Sequence, residues 1–272
     1  MADISKDLLA GARNMLVDCG GLSPGAQVLI VHEPTGLGYY DDDLAPQLAE
    51  AARRLGFDVA LRETPFVTNP KSADPALVEA MRGVDLTVFL ARIGDQVRFG
   101  GLPKNVRAIV CYALDAEAIG GTFGQLNHAG VLAVRDAIDA ALRRAAEIRI
   151  TCPNGTDISG TIADDGPEPQ DTSTIRFPLL VHTPVPAARF SGVLAMRGFF
   201  VGTGSNYYEP YACEIERTLF VHMGGNAITG FSGDPADVAR AEKHYAHVAK
   251  TFGIEARIVP SWHSGIPPAR RF

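Results

Sequence analysis

Three of the seven histidines, His182, His222 and His263, fall in or beside strand-like segments in the second half of the chain. Three imidazoles on neighbouring strands can converge on one divalent metal, so they form a candidate ligand set. Nothing in their spacing forces that convergence, and strand histidines are often satisfied by one backbone or hydroxyl partner. His244 and His247 share a helix face and border the apolar positions Val238, Ala241, Tyr245, Val248 and Phe252. That pattern is the polar rim of an amphipathic helix.

A second group is aromatic. Phe190, Phe199, Phe200, Tyr207, Tyr208, Tyr211, Phe220 and Trp262 cluster in the same half, and much of that must be core. Residues 205–211, however, read as a loop, where tyrosines are not needed for a core. Tyrosine offers rigid amphipathic area at low entropy cost, so Tyr207, Tyr208, Tyr211, Trp262 and the adjacent His263 are the candidate ligand-binding residues. The sequence assigns no catalytic residue.

Other chemistries lack their motifs. The cysteines at 19, 111, 152 and 213 fit no CxxC or zinc-ribbon spacing and read as reduced, packed thiols. Gly100-Gly101, the glycines of residues 120–124, and Gly202-Thr203-Gly204 match neither GxGxxG nor GxxxxGK[ST]. Ser191-Gly192 and Ser232-Gly233 lack the strand–turn–helix frame of a nucleophile elbow.

The elements that must position these residues follow from periodicity. Residues 28–31, 57–61, 86–90 and 108–111 read as strands, and residues 44–55, 75–81 and 131–146 as helices. Gly56 closes the first helix, and Asp74 caps the second with Pro75 at its first position. Continuous apolar strands separated by helices predict a parallel, flavodoxin-like α/β domain over residues 1–146. From residue 147 the texture changes to alternating strands and turns, with a loop at 164–169, one helix opened by Asp234-Pro235, and a last strand at 254–259. Residues 147–272 are therefore expected to form a mostly antiparallel, β-rich α+β domain.

Composition narrows the partners. With 25 Lys+Arg against 31 Asp+Glu, a net charge of −6 gives no basic surplus for nucleic acid. No apolar run is long enough to span a bilayer and no signal-peptide pattern opens the chain, so a soluble cytoplasmic protein is expected. A β-rich second half with few covering helices leaves a sheet face or edge to bury, and a homodimer through it is expected.

The order of these pieces resembles the superfamily of the M29 metallo-aminopeptidases and the 2,5-dihydroxypyridine dioxygenases. The likeness rests on Leu22-Ser23-Pro24-Gly25-Ala26-Gln27-Val28-Leu29-Ile30-Val31, on Glu147-Ile148-Arg149-Ile150-Thr151-Cys152-Pro153-Asn154-Gly155-Thr156-Asp157-Ile158, and on Gly224-Gly225 followed by Asp234-Pro235-Ala236-Asp237-Val238. The resemblance implies a metal in the second domain, held by glutamates or histidines and a C-terminal His-x-Asp. The chain departs from that pattern. Phe177-Pro178-Leu179-Leu180-Val181-His182-Thr183-Pro184 carries no carboxylate where a ligand glutamate is expected, Ser261-Trp262-His263-Ser264-Gly265 has its histidine out of register, and no histidine has an acid two residues later. It reads as a truncated member lacking the C-terminal metal-ligand segment.

Two function classes follow. The first is a non-catalytic binding protein without cofactor, which takes a short peptide or an aromatic small molecule. Such a protein would serve as substrate-presenting accessory to a modifying enzyme in peptide natural-product biosynthesis. The alternative is a ring-cleaving dioxygenase or aminopeptidase with an Fe(II) or Zn(II) site rebuilt on His182, His222 and His263.

Overall fold

The computed structural model describes residues 4–68, 70, 72–99, 102, 103, 105–162, 174–178, 181–202 and 206–265. The expected loop at 164–169, the Gly100-Gly101 pair, Thr203 and Gly204 lie outside them. Two compact units form, and both are discontinuous in sequence: residues 1–135, 170–181 and 265–272, then residues 136–169 and 182–264.

The first unit is built on a parallel sheet. Its strands are β1 (Gln27–His32), β2 (Asp58–Glu63), β3 (Leu86–Leu90), β4 (Ala108–Cys111) and β7 (Ile175–Phe177), in the order β2-β1-β3-β4-β7. That is the 2-1-3-4-5 order of flavodoxin-like folds. The fifth strand comes from beyond residue 146, where sequence texture suggested only antiparallel pairing.

Alternation along each strand separates two cores. Val28, Ile30, Leu86, Val88, Leu90, Ile109, Cys111 and Phe177 face one side, against α1 (Lys6–Arg13), α2 (Leu44–Arg54) and α5 (Ala116–Gly120). Leu29, Val31, Phe89, Ala108 and Val110 face the other, against α3 (Pro75–Arg82) and α4 (Ile93–Gln96). Burial on both faces is why these strands read as unbroken apolar runs. The Asp74 carboxylate caps α3 by accepting from Ala76 N at 2.6 Å, and Gly56 ends the α2 turn at φ +90°, where a side chain would be strained.

The second unit carries an antiparallel sheet in the order β11-β10-β9-β6-β5, from β5 (Ile148–Thr151), β6 (Asp157–Gly160), β9 (Phe190–Val201), β10 (Ala212–Gly224) and β11 (Ala227–Gly233). The long helix α6 (His128–Arg144) precedes β5, and the helix α7 (Pro235–Phe252) packs on β10 and β11 through Val238, Ala241 and Tyr245. Asp234 caps it, accepting from Ala236 N at 2.9 Å, and Gly253 closes it in the left-handed conformation at φ +63°. The expected strand at 254–259 does not form. Only Ile258 bridges to Ala227 there, and the strand that does form, β12 (Ser261–Trp262), pairs with β8 (Val185–Pro186).

One local irregularity is held by a single carboxylate. The β9–β10 register shifts between Ile215 and Leu219, which leaves N–H groups of the bulge without ladder partners. Asp237, fully buried in the first turn of α7, accepts from Glu216 N at 3.1 Å and Arg217 N at 2.9 Å. No helix among the described residues is long and apolar enough to cross a membrane.

Candidate functional site

The second unit contains a partly open pocket with a cavity volume of about 240 Å³. Phe200 and Val201 from the end of β9, Tyr208 from the following loop, His244, Tyr245, Val248 and Ala249 from α7, and Ile254, Glu255, Ala256 and Ile258 line it. The helix supplies four lining residues because positions 244, 245, 248 and 249 recur on one face. Phe200 and Tyr245 meet edge to face with centroids 5.7 Å apart, which fixes the aromatic wall.

Tyr208 is buried, and its hydroxyl lies 2.9 Å from Nε2 of His244. Its ring also sits edge-on to Phe252, with centroids 5.9 Å apart. Burial pushes the Tyr208 hydroxyl above its ordinary range. Burial, then the neighbouring His247, pushes His244 below its own. Both groups are thus neutral at pH 7, and the pair is a polar tip on an otherwise apolar wall. Among the described residues of the lining Glu255 is the charged one.

The candidate tyrosines divide. Tyr208 enters the pocket. Tyr207 and Tyr211 stack on each other at 5.3 Å, Tyr207 reaches the Glu209 carboxylate, and the Tyr211 hydroxyl donates to the Gly202 carbonyl at 2.8 Å. These two brace the loop and are not among the lining residues. Nor is Trp262, which packs edge-on to both His182 and Phe190 at 5.6 and 5.5 Å. His263, next to it, is exposed. The sequence reading therefore found one lining residue and missed the helix face that supplies four of the eleven. The signal was present in Tyr245 and Val248 beside His244, but it is the pattern of an ordinary packed helix.

The three candidate metal ligands are not brought into one group. His182 is buried, its Nδ1–H donates to the Thr183 carbonyl at 2.8 Å, and its Nε2 accepts from Ser264 N at 3.1 Å. Both ring nitrogens are spent on backbone. Asp139 reinforces this by accepting from Thr183 N at 2.9 Å and from its hydroxyl at 3.1 Å. His182 thus ties residues 182–183 to 262–264 as a structural residue. His222, on β10, shares a 2.7 Å hydrogen bond between Nε2 and the Ser232 hydroxyl. Among the described residues no group of three His, Cys, Asp or Glu side chains is placed to hold a metal. Among the described residues these three histidines therefore offer no three-donor set for Fe(II) or Zn(II).

In the first unit, the carboxyl ends of β1 and β3 meet at the point where strand order reverses. Glu33 follows β1 and Arg92 follows β3, and they form a buried ion pair at 2.7 Å. The space beside them, lined by Pro34, Leu37, Tyr40, Asp41 and Asp42 among others, has a volume of about 20 Å³, room for a water but not a ligand.

No protein-family model and no curated protein matches the sequence. Among solved structures, 2,5-dihydroxypyridine dioxygenase from Pseudomonas putida KT2440 matches 97% of this chain and 77% of its own, with a TM-score of 0.59 and 15% identity. This chain shares its fold. Wild-type AmpT from Thermus thermophilus matches 90% of this chain and 75% of its own, with a TM-score of 0.52 and again 15% identity. At such identity the likeness is one of fold, and function must be argued from the residues.

Proposed function

We propose that this chain is a non-catalytic binding protein that takes one aromatic ring, carried by a short peptide or a small molecule, into the pocket between Phe200, Tyr208, Tyr245 and Val248. The carrying observation is the pocket's chemistry and size. A dry cavity of roughly 150 Å³ accommodates benzene, so about 240 Å³ suits one substituted ring. Aromatic and aliphatic walls supply the burial term, and the Tyr208–His244 pair supplies a hydrogen-bonding partner for a ring substituent. His182, with both ring nitrogens on backbone groups, and His222, with Nε2 on the Ser232 hydroxyl, support binding over metal-dependent turnover.

The test is an NMR titration of the whole chain with N-acetyl-tyrosine amide and p-cresol, following the His244 ring signals. A saturable shift is expected, with a dissociation constant between roughly 10 μM and 1 mM. Tyr208→Ala and Val248→Phe, each checked for a native melting profile, should weaken it at least tenfold. Unchanged binding in both variants, or ring cleavage or peptide hydrolysis dependent on added Fe(II) or Zn(II), would overturn the reading.

A further inference from the structure

The strand ends of the first unit bring together four polar side chains that the pocket does not use: Asp95, Arg98, Tyr112 and Arg176. Asp95 lies on α4 and Arg98 just after it, both following β3, while Tyr112 follows β4 and Arg176 is the middle residue of β7. Register pairs Val110 with Arg176, and Tyr112, two residues on, falls on the same sheet face. Asp95 is buried and accepts from Arg98 Nη1 at 2.6 Å and from the Tyr112 hydroxyl. The same Nη1 also donates to the Tyr112 oxygen at 3.0 Å.

One carboxylate therefore serves two guanidinium groups. Arg98 holds it. The Arg176 guanidinium, half-buried, makes no hydrogen bond or ion pair with any described residue. Burial and the nearby Arg98 both disfavour its charge, while Tyr112 and Asp95 only partly offset them. A half-buried cation whose nearby carboxylate is already held by another arginine is costly, and one further negative charge would complete the set.

We infer that the carboxyl ends of β3, β4 and β7 form a binding site for a small apolar carboxylate, with Arg176 as the open fork and Arg98 as the second cation. Open α/β sheets bind ligands outside the carboxyl ends of their strands, and the arginine fork matches the planar carboxylate in both shape and charge. Phe99, 48% exposed and stacked under Arg98 with its ring centroid 4.4 Å from the guanidinium carbon, gives the site an apolar lip. A ring-bearing monoanion is thus preferred over inorganic phosphate.

The probe is sodium benzoate, titrated into the full chain at constant ionic strength while the arginine Nε–Hε signals are followed by NMR. Two arginine signals should move saturably, with a midpoint in the low millimolar range or below. Arg176→Met should abolish the response, and Arg176→Lys, which keeps the charge and loses the fork, should weaken it at least fivefold. Tyr208→Ala should leave it unchanged, which separates this site from the aromatic pocket. Melting profiles establish that each variant is folded. An arginine response that survives in both Arg176 variants, or phosphate matching the benzoate midpoint, would overturn the assignment.

Discussion

Arg92 grips Glu33 at four points: its backbone N–H donates to Oε1 at 2.7 Å, its Nε to both oxygens at 3.0 and 3.1 Å, and its Nη2 to Oε2 at 2.7 Å. The guanidinium carbon also lies 3.6 Å from the Phe66 ring centroid, so the pair is shielded from water on that side. Removing one partner leaves the other charge buried alone. Arg92→Met should therefore destabilise the chain by about 3 kcal/mol or more, and Glu33→Met with Arg92→Met together should recover much of the loss. Urea unfolding midpoints of the three proteins measure this directly.

The Tyr208–His244 pair makes the second unit pH-sensitive. Burial depresses the His244 value below the ordinary 6.5. As pH falls through 6.5 the unfolded chain takes up its proton first, so the stability this histidine contributes is present above about 6.5. It is lost on the way down to the folded-state value. His128 is depressed as well, by burial and Arg135. Wild type minus His244→Asn isolates the site: the wild-type melting temperature should drop more between pH 7 and pH 5. Parallel curves would count against the pair.

Thiol reactivity should separate the four cysteines. Cys19 and Cys111 are buried and pushed up to about 12 by desolvation. Cys152 is pulled down by the Thr156 hydroxyl and the N–H groups of its turn. Iodoacetamide at pH 8 should label Cys152 first and reach Cys19 and Cys111 only on unfolding. Mass spectrometry of a time course gives the order, and early labelling of Cys111 would contradict the burial assigned to it.

Assembly is proposed to be a two-fold homodimer through the second unit. Phe199 and Val201 at the end of β9 are 65% and 52% exposed, and Ile254 and Ile258 are 57% and 48% exposed. Four large apolar side chains left in water on one small unit mark a surface that a second copy can cover. Sedimentation should give twice the chain mass at micromolar concentration, and Phe199→Glu should return it to one. A wild-type monomer at that concentration removes the proposal.

The parallel sheet was legible in the sequence because its strands are buried on both faces and so consist of unbroken apolar runs such as Val28 to Val31 and Leu86 to Leu90. The helix starts at Asp74 and Asp234 and the stop at Gly56 were equally legible, because they are local chemistry. The strand Ile175–Phe177 was not assigned to that sheet. Three residues with Arg176 at the centre carry no periodic signal, and its place beside β4 is a long-range pairing. The helix Lys6–Arg13 and the π-helical turn Asn14–Cys19 that continues it also went unread.

Sequence alone determined the fold class and the aromatic character of the second half, since both follow from residue type and short-range period. Tertiary structure decided which polar groups are free to act. His182 looks like a metal ligand until Thr183 and Ser264 take both of its nitrogens, and Asp237 looks like a first-turn helix acid until it closes the bulge at Glu216 and Arg217. Tyr208 and His244 become a pair only when loop and helix are packed together. Hydrogen-bond capacity is a property of one residue, but its allocation depends on neighbours 20 to 82 positions away, which no local pattern encodes.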